Sequence, residues 1–249
     1  MIRTMNSPKV IAVIPARYHS TRFPGKPLAL ILGKPLLQWV WEATKMAKSI
    51  QRVIIATDDT RIAEVAKKFG AEVKMTRMDH PSGTDRIAEA TQGLESDWIL
   101  NIQGDEPLIE GTFLDRWISG LNSSFGMATV ATPLPEVLDL QRPDVVKVSF
   151  DTHGRALGFQ RKVSMEKAHE WAHQHVGLYA YTPTTLQTFV SLPPSPGEKS
   201  ERLEQLRSLE NGIAIQVLTL TFVSVGVDTP GDVTRAERAL ADRARTISK

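Results

Sequence analysis

Apolar runs and apolar residues at helical spacing alternate through the first half of the chain. Residues 10–14 form a continuous apolar run, the pattern of a strand covered on both faces. Leu36, Leu37, Val40, Ala43, Thr44 and Ala47 then recur at helical spacing, which predicts a helix over 35–48 with Pro35 in its first turn. A strand over 52–57 follows, then a helix over 60–69 preceded by Asp58 and Asp59 and ended by Gly70 as C-cap, then a strand over 72–75. After a loop at 79–86 come a helix to about residue 94, a strand at 98–102, a helix at 112–121 and a strand at 127–132. This rhythm predicts a parallel, doubly wound α/β sheet, whose ligands bind outside the carboxyl ends of the strands.

The rhythm changes after Pro133. Residues 145–150 and 156–160, joined by a turn at 151–154, read as an antiparallel hairpin. A polar, helix-compatible stretch at 162–173 leads to a strand at 176–181, helices at 184–190 and 198–210, and a strand at 213–220. A strand at 223–227 then enters Asp228-Thr229-Pro230, where Thr229 has the chemistry of an N-cap and Pro230 that of a first helical residue. The last helix is expected to reach about residue 245. No internal repeat is visible, and the second half reads as an insertion on the same sheet.

Composition narrows the classes. The 249 residues carry a formal net charge of +2 and no lysine- or arginine-rich block, which argues against a nucleic-acid partner. Cysteine is absent, so disulfides and thiolate metal sites are excluded. Residues 1–9 are polar, and the first eight are expected to fray. No apolar run approaches the roughly 20 residues that span a bilayer, so a cytosolic protein is expected.

The candidate chemistry lies at strand ends. Arg17, Arg22 and Lys26 follow the first strand on a loop containing Gly25, and their forks and ammonium suit the oxygens of a polyphosphate. The same residues would also make a solvated basic turn. The pattern is not a P-loop, and no Gly-x-Gly-x-x-Gly or Gly-x-Ser-x-Gly is present. Ser82-Gly83-Thr84 sits at a helix start, where it either caps the helix or holds a ligand; Arg86 either returns to a phosphate or pairs with Asp85. Asp105 and Asp228 each follow a strand, and two such carboxylates suit one Mg²⁺ shared with substrate phosphates. His175, Tyr179, Glu204 and Gln205 are weaker alone.

Together these blocks resemble a family. Ile14-Pro15-Ala16-Arg17-Tyr18 and Ser20 to Leu28 match the N-terminal signature of the 3-deoxy-manno-octulosonate (Kdo) cytidylyltransferases, or CMP-Kdo synthetases. So do Ala56-Thr57-Asp58, Ser82 to Arg86, Asn101 to Pro107, Val146-Lys147-Val148, His175 to Tyr179, Leu203 to Arg207 and Gly226 to Pro230. The resemblance runs in order from about residue 9 to 241. It implies a three-layer α/β/α nucleotidyltransferase (Rossmann-like) mixed sheet with an antiparallel dimerisation insertion. It also implies one domain, with a CTP-binding half at 9–132, a sugar-binding and dimerisation region at 133–222, and a C-terminal strand and helix at 223–249.

The implied reaction joins CTP to the anomeric hydroxyl of an eight-carbon sugar acid and releases pyrophosphate, feeding lipopolysaccharide assembly. Arg17, Ser20, Arg22, Lys26, Ser82, Gly83, Thr84, Arg86 and Gln103 would then hold the nucleotide, with Arg17, Lys26, Asp105 and Asp228 as the catalytic set. Asp105 and Asp228 would bind Mg²⁺. Gln103, Lys147, Arg161, His175, Tyr179, Glu204 and Gln205 would line the sugar site of a cytoplasmic homodimer. The chain departs from the family pattern at 160–166, where Gln160 replaces a serine and an Ile-Pro pair is missing. That departure keeps a modified acceptor, such as an 8-amino analogue, in play. The reading from another class is a silent nucleotide- or sugar-binding protein.

Overall fold

The computed structural model describes residues 7–134 and 136–247. The expected fraying of the N-terminus falls, for residues 1–6, outside them. In chain order the elements are β1 (Val10–Ala16), β2 (Leu30–Ile31), β3 (Lys34–Pro35), α1 (Leu36–Lys45), β4 (Arg52–Thr57), α2 (Thr60–Lys68), β5 (Glu72–Met75), α3 (Gly83–Ala90), β6 (Trp98–Asn101) and α4 (Gly111–Ser119). They continue with β7 (Met127–Pro133), β8 (Lys147–Phe150), β9 (Ala156–Gln160), β10 (His173–Tyr181), α5 (Pro183–Ser191), α6 (Pro196–Glu201), α7 (Leu206–Glu210), β11 (Ile215–Thr219) and α8 (Asp232–Ile247). Among the described residues no helix is long and apolar enough to cross a membrane.

The chain divides into two compact units, one ending at Arg116 and resuming from Val223, the other spanning Trp117–Phe222. In the first unit β1 pairs in parallel with both β4 and β6, and β4 pairs in parallel with β5. The apolar run of β1 is buried on both faces, as a central parallel strand requires. Its pairing with β6 ends at Val13, whereas its pairing with β4 continues to Ala16. Pro15, which has no N–H to give, therefore lies where the β6 ladder has stopped. Leu36, Leu37, Val40 and Thr44 form the buried face of α1. Ala236 and Leu240 of α8 pack with Leu36, Leu108 and Val227.

The second unit is mixed. β7 pairs in parallel with β11 and antiparallel with β10; β8 pairs antiparallel with β10 and β9. The predicted hairpin is therefore present.

Four local expectations need correction. The stretch at 162–173 holds only a 3-10 turn at Met165–Lys167 before β10 begins. Val163 and Trp171 bury themselves with Leu140, and the mostly exposed residues between them give a helix nothing to pack against. The helix expected at 198–210 is broken into α6 and α7, because Arg202 takes the left-handed conformation at φ 55°. Residues 223–227 form no strand, although the Val227 N–H donates to the Asp105 carbonyl at 2.9 Å. Thr229 is not the acceptor of a cap: the Asp232 carboxylate accepts from the N–H groups of Asp228 (3.1 Å) and Thr229 (2.9 Å) and from the Thr229 hydroxyl (2.9 Å).

Candidate active site

In the first unit the loop after β1 is folded by its own residues. Gly25 has φ 72°, and its N–H donates to the Tyr18 carbonyl at 2.8 Å. A Cβ there would lie 3.2 Å from the Tyr18 ring. Gly25 thus serves the turn itself rather than a close ligand approach. The Arg61 guanidinium stacks over the other partner of that turn, 3.3 Å from the Tyr18 ring centroid. Ser20 Oγ accepts from the Phe23 N–H at 3.4 Å, and Arg17 is exposed just past β1.

This turn delivers Lys26 to two carboxylates. Its Nζ lies 2.7 Å from Asp105 Oδ2 and 3.2 Å from Asp228 Oδ1, and Arg22 Nη2 lies 3.1 Å from the same Asp228 oxygen. The Lys26 side chain is 17% exposed, against 28% for Asp105 and 48% for Asp228. Burial alone would lower the Lys26 pKa; the charges and hydrogen bonds of Asp105, then Asp228, outweigh it and hold the ammonium above its ordinary range. The backbone bond between Val227 and Asp105 sets the two loops side by side. Two aspartates from distant parts of the sequence therefore converge on one cation.

Glu106 was not among the expected site residues. Its Oε1 accepts from the Ser224 hydroxyl at 2.6 Å. Burial pushes its carboxyl up to about 7; the Ser224 bond opposes that shift, and the charges of Asp105 and Asp228 add to it. Its place in Gly104-Asp105-Glu106-Pro107 was visible, but its burial was not.

The residues at the start of α3 divide between capping and structure. Ser82 Oγ accepts from the N–H groups of Thr84 (3.1 Å) and Asp85 (3.2 Å), and its hydroxyl donates to Asp85 Oδ2 at 2.7 Å. Gly83 lies against Pro15, a Cβ there falling 3.5 Å from the Pro15 ring. The helix start therefore sits at the end of β1, and Thr84 is fully buried. Arg86 neither reaches outward nor pairs with Asp85. It is fully buried, with Nη2 3.1 Å from Asp58 Oδ2 and Nη1 donating to Thr76 Oγ1. A guanidinium that cannot shed its charge is paired here with the Asp58 carboxylate. Gln103 and Gly104 follow β6, and Gly104 packs under the end of β1 near Ile14 and the Pro15 carbonyl.

In the second unit four expected sugar-site residues come together. His175 is 8% exposed and Gln205 3%. The His175 and Tyr179 rings lie 5.4 Å apart, and the Tyr179 hydroxyl donates to Gln205 Oε1 at 3.0 Å. Burial pushes His175 down to about 3, so its ring is neutral. Burial, and secondarily the Glu204 charge, pushes the Tyr179 phenol up. Gln205 Nε2 is buried with no protein acceptor among the described residues, a donor that a ligand can satisfy. Glu204 lies 3.8 Å from Arg207, which forms a two-bond pair with Glu198 at 2.6 and 2.8 Å.

Lys147 and Arg161 have other work. Lys147 is fully buried, and its Nζ donates to the carbonyls of Asp139 (3.2 Å), Arg142 (2.8 Å), Val145 (2.6 Å) and Arg161. Its ammonium is spent on the chain rather than on a sugar. Arg161 donates to the carbonyls of Glu201 (2.7 Å), Arg202 (3.1 Å) and Pro143 (2.9 Å). It thereby holds the left-handed residue that precedes Glu204 and Gln205. Gln160 is exposed, in register with Lys147.

A basic turn at the carboxyl end of a parallel strand, beside acidic loops from neighbouring elements, suits a nucleoside triphosphate. That defines the class, a nucleotide-dependent transferase of α/β architecture. Proteins of similar sequence narrow it. The cytidylyltransferase family profile matches residues 11–215. A 3-deoxy-manno-octulosonate cytidylyltransferase from Syntrophotalea carbinolica is 47% identical over 245 residues, 93% of this chain and 98% of the relative. One from Geobacter metallireducens is 43% identical over 249 residues, 94% and 98% of the two chains. A solved CMP:2-keto-3-deoxy-manno-octonic acid synthetase complexed with CTP is 37% identical, covers 94% of this chain and 99% of its own, and superposes with a TM-score of 0.89. A cytidylyltransferase from Leptospira borgpetersenii, at 20% identity and a TM-score of 0.65, shares the fold. The chain belongs to the 3-deoxy-manno-octulosonate cytidylyltransferase family.

Proposed function

We infer that this chain catalyses the reaction for which its relatives are named, the transfer of CMP from CTP to 3-deoxy-D-manno-octulosonate, giving CMP-Kdo and pyrophosphate. The observation that carries the reading is the convergence of Lys26, Arg22, Asp105 and Asp228 in a chain of this family. The anomeric hydroxyl attacks the α-phosphorus in line and gives up its proton to solvent, the bond to the oxygen bridging to the β-phosphorus breaks, and pyrophosphate leaves. Such a transfer rests on positioning and charge rather than on a protein nucleophile.

Arg17, Arg22 and Lys26 are the residues to hold the triphosphate, with Ser20 and Gln103 beside them and the start of α3, from Ser82 to Thr84, on the cytosine side. Arg86 supports that wall through Asp58. Mg²⁺ fits the donor set, because Asp105 and Asp228 already share one cation, the Lys26 ammonium. Held by those two carboxylates, the metal would neutralise phosphate charge. His175, Tyr179, Glu204 and Gln205 form the sugar-reading group, supported by Arg161.

A cytoplasmic homodimer is part of this reading. Among the described residues β9 pairs with β8 alone, and Leu138, Leu157 and Met165 are exposed in the same unit. These features offer a surface for self-association.

The test is pyrophosphate release from CTP with a panel of acceptors: Kdo, its 8-amino analogue and a sialic acid. Release with Kdo above the others is expected. Preference for the 8-amino analogue would reassign the acceptor. Silence with every acceptor would leave a nucleotide-binding protein and overturn the reading.

A further inference from the structure

The register between β7 and β10 runs His175 to Ala131 and Val176 to Val130, then jumps to Tyr179 opposite Thr129, skipping Gly177 and Leu178. A bulge of this kind takes carbonyls out of the ladder and re-aims the side chains beside it. Thr129 is fully buried at the jump. Its Oγ1 lies 2.7 Å from the Leu178 carbonyl oxygen, 3.4 Å from that of Val176, and 3.0 Å from His175 Nε2.

The proton count at this hydroxyl is decisive. A carbonyl oxygen only accepts, so the short contact with Leu178 consumes the one hydroxyl proton of Thr129. The contact with His175 must then run the other way, with Nε2–H donating to Oγ1. In a neutral ring that leaves Nδ1 unprotonated, with no protein donor to it among the described residues. The ring is fixed in plane by Phe159, edge-on at 5.1 Å, and by Tyr179 at 5.4 Å. Beyond Tyr179 lies Gln205 with its unsatisfied Nε2 donor.

We propose that Thr129 is a positioning residue for the acceptor sugar: it locks His175 as the Nε2–H tautomer, so that Nδ1 accepts a hydrogen bond from a sugar hydroxyl. That the partner is a sugar hydroxyl rests on the reaction assigned above. The device suits a polyol. A neutral acceptor and a neighbouring neutral donor are the groups that read a hydroxyl. A purely structural threonine would fill the same bulge but leave the imidazole tautomer free.

The test uses the full chain with ¹⁵N-labelled histidine, the His175 signal being identified by its absence in His175→Gln. Long-range ¹H–¹⁵N spectra of the wild type should show a protonated Nε2 and an unprotonated Nδ1 at neutral pH. A protonated Nδ1 would overturn the proposal. Thr129→Val removes the acceptor and keeps the shape. It should mix the two tautomers and raise the Kdo KM about tenfold, with the CTP KM within about twofold of wild type. Thr129→Ser should restore both. An unchanged Kdo KM in a folded Thr129→Val would overturn the positioning role. If that variant does not fold, Thr129→Ser decides: retention of the Nε2–H tautomer and of the Kdo KM supports the proposal, and loss of either overturns it. Wild type that turned over no Kdo would bring down the assigned reaction and the sugar arm together. A wrong tautomer in an enzyme that does turn over would overturn this proposal alone.

Discussion

The two polar clusters of this chain are built on opposite principles. In the first unit, Lys26, Arg22, Asp105 and Asp228 keep full charges, partly open to solvent and balanced against one another. In the second, His175, Tyr179 and Gln205 are buried, uncharged and ordered by aromatic contacts and single hydrogen bonds. The difference follows the cost of desolvation. A triphosphate brings its own charge and needs countercharge that can rearrange when it arrives. The acceptor brings one carboxylate but mostly hydroxyls, and hydroxyl recognition needs neutral donors and acceptors of fixed direction, groups that survive burial when each has a partner. Selectivity for the nucleotide is thus expected to be electrostatic, and selectivity for the acceptor to be geometric.

The sharpest way to break this contrast is to neutralise a charge without changing shape. Asp105→Asn or Asp228→Asn should cut kcat by about 10³-fold or more while far-UV circular dichroism stays native. Near-normal turnover in either would refute the shared-cation arrangement. Lys26→Ala should lower kcat/KM for CTP by about 10²-fold, with a weaker dependence on ionic strength. An unchanged salt profile would count against a charged clamp. Gln205→Leu keeps the volume and deletes the orphan donor together with the oxygen that accepts from the Tyr179 hydroxyl. It should raise the Kdo KM about tenfold, leave CTP unaffected and show no salt dependence. Equal losses for both substrates would erase the distinction between the clusters.

The same contrast reaches stability. The folded His175 pKa of about 3 lies below its ordinary 6.5, so between those values the unfolded chain binds a proton that the folded chain does not. The stabilisation is complete above pH 6.5 and falls by about 1.4 kcal/mol per pH unit as the pH drops toward 3. Urea midpoints at pH 7, 6 and 5 should decline more steeply for wild type than for His175→Gln. Parallel slopes would show that His175 is not buried neutral.

How far the sequence reaches differs between the units in the same way. The parallel strands β1, β4, β5 and β6 and the helices between them were legible because a parallel sheet writes itself as apolar runs and 3.6-residue periods, whereas the strand expected at 223–227 does not form. The convergence of Lys26, Asp105 and Asp228 could be anticipated in part: Lys26 and Asp105 lie on loops that follow β1 and β6, whereas Asp228 was placed there by that missing strand. Arg86 could not: nothing local says that its guanidinium turns inward to Asp58. In the second unit, His175 to Gln205 were flagged by resemblance, but the functions of Lys147 and Arg161 were hidden. Their partners are backbone carbonyls, which leave no mark in a list of side chains. Thr129 was missed for a related reason. A buried strand threonine looks like any β-branched residue until a register jump gives its hydroxyl three neighbours.

Lys147 carries one last consequence, in the language of chemical labelling. Four carbonyls crowd an amine that has three protons, so while the unit is closed this nitrogen has neither a lone pair nor a path to reagent. Acylating reagents should modify exposed lysines such as Lys9 at once and Lys147 only when residues 139–161 part. Its acylation rate, followed by mass spectrometry, is then a clock for the opening of the second unit, with a built-in reference in every lysine on the surface.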